Sequence, residues 1–121
     1  MYDSLSTVAY IVSRFPTLAD HLLDEDLDGL LHVQIGAFSH FSQATIDEQD
    51  AVTWERVVET FMELWKDCSA DVTNALNVSF LEHLNFKDNR HRRAWAYEAM
   101  PNPMREAWDA MERYNREIHG G

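Results

Sequence analysis

Apolar residues recur at helical intervals along nearly the whole of this 121-residue chain. The clearest stretch is TWERVVETFMELWKD. There Trp54, Val57, Val58, Phe61, Leu64 and Trp65 fall on one stripe and predict an amphipathic helix. Asp50 or Thr53 suits its N-cap. Thr45 with Glu48 also forms a T-x-x-E capping box, which would start the helix a turn or two earlier. The segment NPMREAWDAMERYNREIHGG predicts a last helix, with Asn102 as N-cap, Pro103 in the first helical position and the closing glycines as a stop. Its inward stripe reads Met104, Ala107, Trp108, Met111, Tyr114 or Asn115, and Ile118. Asp109–Arg113 and Glu112–Arg116 offer i,i+4 ion pairs on its outer side.

Between these two lies NALNVSFLEHLNF. At 100° per residue Val72, Leu76, Phe80 and Leu84 share a face, Leu81 widens it, and Ala75 and Val78 lie opposite. A helix apolar on most sides belongs at the centre of a bundle. Upstream, LDGLLHVQIGAFSHFSQ predicts a helix with Leu27, Leu31, Ile35 and Phe38 in one row and Leu30, Val33, Ala37 and Phe41 beside it. SLSTVAYIVSRF reads as a short helix stopped before Pro16, PTLADHLL as a further turn or two, and RHRRAWAYEAM as a short basic helix ended by Pro101. No alternating strand pattern, internal repeat or domain-dividing linker is evident. The expectation is a single all-α domain spanning residues 1–121, an irregular bundle of five to seven helices.

Composition narrows the chemistry. One cysteine, Cys68, excludes an internal disulfide and fits a reducing compartment. The N-terminus lacks a basic region and a cleavage pattern, and no apolar run approaches the roughly 20 residues that span a bilayer. The expected location is therefore cytoplasmic. The formal net charge is −11. Residues 1–86 hold 15 acids and 3 bases, whereas residues 87–121 hold 6 acids and 7 bases. Such a chain should avoid nucleic acid and anionic membranes, and a basic partner would be steered toward its acidic side.

No catalytic constellation stands out. Glu82 and His83 point to different sides of their helix, so they do not form a dyad, and the H-E-x-x-H spacing of a zinc helix is missing. His83 reads as a boundary histidine bonded to a neighbour, and Glu82 as a surface acid within reach of Arg90, Arg92 or Arg93. Gly36 stands between His32 and His40 where a ligand would be needed, and His21, His91 and His119 have no acid or cysteine at ligand spacing. Cys68 has no C-x-x-C partner, and no phosphate loop or nucleophile elbow is present. Neither an enzyme nor a cofactor or metal protein is expected. Of the four tryptophans, all but Trp95 fall on inward stripes.

One feature resists a purely structural account. Glu55, Glu59 and Glu63 form an i, i+4, i+8 ridge on the clearest helix, and each like-charge pair costs roughly 0.2–0.5 kcal/mol. A second acidic run, DEDLD, supplies Asp24, Glu25, Asp26 and Asp28, and a third, DEQD, supplies Asp47, Glu48 and Asp50. Self-repulsion of this kind is relieved when a basic surface faces it. The ridge with Asp24, Glu25, Asp26 and Asp28 is the candidate partner-binding surface.

The run FMELWKDCSADVTNALNVSFLEHLNF resembles a family of small bacterial proteins in which one helix ends in a Phe-x-x-x-Glu/Leu pattern. A second helix then reads apolar-x-x-x-Phe-Leu-Glu-x-Leu. The matching positions here are Phe61, Leu64, Val72, Leu76, Phe80, Leu81, Glu82 and Leu84. The closing MPNPMREAWDAMERY is similar to that family's Pro-containing turn and final helix, so the resemblance covers about residues 50 to 115. Similar domains are linked with immunity proteins of polymorphic-toxin and contact-dependent inhibition systems. The resemblance implies a helical, non-enzymatic inhibitor that binds a cognate toxin domain, a nuclease being one such partner. The alternative is a non-enzymatic scaffold or regulatory adaptor that either uses the basic Arg90–Arg93 segment or homodimerises through an exposed apolar face. An enzyme using Glu82 and His83 is a third reading.

Overall fold

The computed structural model describes residues 1–88 and 90–118. The glycine stop expected after the last helix, and His119, lie outside these residues. The chain forms a single all-helical bundle. In order, the helices are α1 (Ser4–Arg14), α2 (Ala19–Leu22), α3 (Leu31–Asp47), α4 (Ala51–Lys66), α5 (Ala70–Ala75), α6 (Ala94–Ala99) and α7 (Asn102–Ile118). Short 3₁₀ turns at Pro16–Leu18 and Glu25–Leu27 flank α2. An isolated bridge between Tyr2 and Cys68 pins the N-terminus to the turn after α4. Tyr2 N–H donates to the Asp67 carbonyl at 3.0 Å and Ser69 N–H to the Tyr2 carbonyl at 2.8 Å. No helix among the described residues is long and apolar enough to cross a membrane.

Side-chain caps set several helix starts. Asp3 accepts the Ser6 amide and begins α1. Asp50 accepts the Thr53 amide and hydroxyl and begins α4. The bonds from Ser6 hold the Asp3 carboxyl below its usual range, and those from Thr53 do the same for Asp50. The Thr45–Glu48 capping box does not form. Thr45 is inside α3 and its hydroxyl donates to the Ser42 carbonyl. The Asp50 and Gln49 amides instead close back on the Thr45 and Ile46 carbonyls, with Gln49 left-handed at φ 57°. This is the Schellman arrangement that ends one helix and lets the next reverse direction. Asn102 is likewise already helical, so it is not the N-cap of α7: the first bond runs from the Arg105 amide to the Pro101 carbonyl.

The central segment departs from a plain α-helix. After α5 the chain widens into a π-helical turn, Leu76–Phe80, tightens to 3₁₀ over Leu81–His83, and leaves extended at Leu84. It is nonetheless the middle of the core, with Leu76, Phe80 and Leu81 fully buried. Phe80 is stacked between Phe38 of α3 and Phe61 of α4, ring centroids 5.0 and 5.6 Å away, and Trp65 extends the stack from Phe61. Such rings gain both buried area and oriented contact. A second aromatic group, edge to face, joins Trp54, Phe86, Tyr97 and Trp108 under α6 and α7. The indole N–H groups of Trp54 and Trp108 donate to the Ala96 and Leu84 carbonyls, both at 3.0 Å. Trp95, expected off the inward stripes, also packs against the core.

Two stripes and the character of α6 differ from the expectation. In α3 the buried face runs through Leu31, Gln34, Ile35, Phe38 and Ser42, whereas Leu30 and Val33 are exposed. Gly29, at φ 78°, breaks the helix that would otherwise reach back to Leu27. In α7 the outer end runs past the core, so Tyr114 and Ile118 are exposed. Its acids turn to other elements: Asp109 accepts the Tyr97 hydroxyl, and Glu112 pairs with Lys87 at 3.1 Å in place of the i,i+4 pairs. In α6 the arginines precede the helix, which starts at Ala94, so the element itself is not basic.

Candidate interaction surface

The Glu55–Glu59–Glu63 ridge lies on α4, but α1 packs against that helix and supplies part of its neutralisation. Arg14 Nη2 meets Glu59 Oε2 at 2.7 Å while its Nε donates to the Thr60 hydroxyl. The Tyr2 hydroxyl donates to Glu63 Oε1 at 3.3 Å, and Lys66 lies 4.0 Å from the same carboxylate. Burial pushes the Tyr2 phenol pKa up, and the Glu63 charge adds to the effect. Glu55 remains exposed with no side-chain hydrogen bond or ion pair among the described residues. The ridge's repulsion is therefore largely met within the chain. No sequence period could show this, since Arg14 is 45 positions from Glu59.

Asp24, Glu25, Asp26 and Asp28 are all exposed, in and around the 3₁₀ turn between α2 and α3. Asp24 accepts the Asp26 amide and so fixes the turn. Asp24, Glu25 and Asp28 line a hollow of about 320 Å³ whose other wall is α1, including Leu5 and Val8. A second hollow of about 400 Å³ continues from it past Gly29 and Leu31, lined by Leu30, Val33 and Asp71. Around these hollows Leu5 is 79% exposed, Leu23 59%, Leu30 49% and Val33 50%. Four of the largest exposed apolar side chains thus gather about one acidic rim. Sequence reasoning found the acids but missed Asp71 and these apolar residues. The helical period puts Leu30 and Val33 in the row beside Leu31, Ile35 and Phe38, and the structure leaves both exposed. The glycine at position 29, read as a helix break, was the available signal.

Glu82 and His83 are both exposed on the 3₁₀ turn. Neither makes a side-chain hydrogen bond among the described residues, so His83 stands exposed and not as the expected bonded boundary residue. Arg93 reaches Asp47 at 2.7 Å rather than Glu82. Among the described residues, His32, which lines the second hollow, finds a partner: its Nδ1 is 2.6 Å from the Ser79 hydroxyl. Ser79 is buried at 7% exposure, so its oxygen is poorly placed to meet a substrate. Its position comes from the π turn, which a 3.6-residue plot cannot represent. Among the described residues no three His, Cys, Asp or Glu side chains are grouped to hold a metal ion. Cys68 is half-buried and free, with Sγ 3.2 Å from the Thr73 hydroxyl.

Exposed acids and exposed apolar residues thus share one rim of the all-helical bundle. The chain belongs to the family described as a domain of unknown function, DUF7674, which matches residues 8–116. No curated protein and no solved structure matches it.

Proposed function

We propose that this chain is an immunity-type protein that binds and neutralises a cognate, basic toxin domain, by contact rather than by catalysis, in the cytoplasm. The observation that carries the reading is the juxtaposition of Leu5, Leu23, Leu30 and Val33 with Asp24, Glu25, Asp26 and Asp28. Exposed apolar side chains of this size each gain roughly 1.5–3 kcal/mol when fully buried. Their grouping suits a partner that covers them while the acids steer its approach. The acids also match the basic cleft of a nuclease. Glu55, Glu59 and Glu63 are the secondary contact, because Glu59 and Glu63 are already engaged by Arg14, Tyr2 and Lys66.

The test is rescue. The candidate toxin is the variable C-terminal domain of any large secreted protein whose gene lies beside this one, expressed in a cell that lacks the chain. Wild-type chain should restore growth. Asp24→Lys, Glu25→Lys and Asp28→Lys together should abolish rescue and slow association most at low salt. Toxicity that the wild-type chain leaves unrelieved would overturn the reading. Rescue by the triple variant would move the contact to the ridge. The second reading, a non-enzymatic adaptor, draws on the exposed Tyr114 and Ile118 at the end of α7. A homodimer in light scattering would favour this reading over a monomeric inhibitor.

A further inference from the structure

Away from the acidic rim, the segment after Leu84, α6 and the outer half of α7 enclose a cleft of about 470 Å³. That volume is in the range that accepts a small molecule. Its base is aromatic. Phe86 and Trp108 meet edge to face at 5.1 Å, and Tyr97 lies 5.8 Å from each of them. Tyr97 is held in place because its hydroxyl donates to both Asp109 carboxylate oxygens at 3.0 Å. Burial, reinforced by Asp109, raises the phenol pKa, so it remains a donor.

The cleft's charges are not equally available. Asp109 is occupied by Tyr97, and Glu112 by Lys87, whose ammonium also lies 6.0 Å above the Trp108 ring. Arg113 and Arg116 line the same wall, are exposed, and make no ion pair among the described residues. Their planar forks suit a flat oxyanion and stack on rings. Glu98, exposed on α6, is the opposing acid and disfavours a ligand with a second negative charge at its far end.

We infer that this cleft binds a small aromatic anion, a flat ring bearing one carboxylate or phosphate, with the ring against Tyr97 and Trp108 and the oxyanion on Arg113 and Arg116. The site is separate from the proposed toxin contact, so either can fail alone. The test titrates the full chain with sodium benzoate and with phenyl phosphate, following the Tyr97 amide and the Trp108 indole N–H by nuclear magnetic resonance. Saturating shifts with a Kd below about 1 mM are expected. Arg113→Ala with Arg116→Ala should weaken binding at least about tenfold, the loss of a charge-assisted hydrogen bond. Shifts that do not saturate, equal affinity in the double variant, or equal binding of sodium acetate or benzylamine would each overturn the assignment. Circular dichroism of the double variant should match wild type, because both arginines are exposed.

Discussion

Ser39 shows how single residues support an irregular core. Its hydroxyl donates to the Phe80 carbonyl at 2.9 Å, in a fully enclosed position between α3 and the π turn. Where a π turn passes into 3₁₀, the backbone carbonyls lose regular intrahelical partners and need others. Gln34 serves α2 similarly, donating from Nε2 to the Leu22 carbonyl at 2.9 Å. Ser39→Ala should therefore lower unfolding free energy by about 1–3 kcal/mol, the cost of an orphaned buried acceptor. Denaturant unfolding would show this as a lower midpoint at unchanged slope. A midpoint that does not move would mean that the carbonyl has another partner. This bond was invisible in the sequence, where Ser39 is one polar residue beside the Phe38 stripe.

At the level of elements, the strength of each pattern tracked how local its causes are. α4 was legible because its cap and its stripe of Trp54, Val57, Val58, Phe61 and Leu64 lie within one segment, and all five are buried. α3 was legible in its middle but misread at its start, because Gly29 takes a left-handed conformation and the helix begins only at Leu31. The central segment was legible as core, since Leu76, Phe80, Leu81 and Leu84 are buried in any helical geometry. Its widening was not, because packing between α3, α4 and α7 decides where the extra residue goes. Gly36 offers a test on α3. An added Cβ there meets nothing within 4 Å. Gly36→Ala should stabilise the fold by about 0.8–1 kcal/mol through helix propensity alone. Thermal unfolding checks it, and a lower Tm would mean that the backbone needs glycine at that turn.

Over the whole molecule, charge is unevenly distributed and only partly cross-linked. Arg14–Glu59 joins α1 to α4, Arg93–Asp47 joins the arginine segment to α3, and Lys87–Glu112 reaches α7. These pairs are surface-exposed and each worth at most about 1 kcal/mol. A net charge of −11 on 121 residues leaves repulsion that they do not cancel. Raising NaCl from low concentration to about 0.5 M, where screening acts within a few ångströms, should therefore raise Tm. A falling Tm would show that the three ion pairs outweigh the repulsion.

The candidate site divides along the same line. The acids at 24–28 and the ridge at 55, 59 and 63 could be read directly, because charge is a property of single residues. Whether each acid is free could not be read. Arg14 and Tyr2 reach Glu59 and Glu63 from another helix, while Leu5, Leu23, Leu30 and Val33 come from three elements to surround the turn. The sequence by itself determined the helical class, the buried stripe of α4 and the sign of the surface, since helical period and side-chain polarity act over a few residues. Only the tertiary structure decided which apolar residues stay exposed, which charges are answered, and where the helix at the centre widens, because each depends on contacts between residues far apart in the chain.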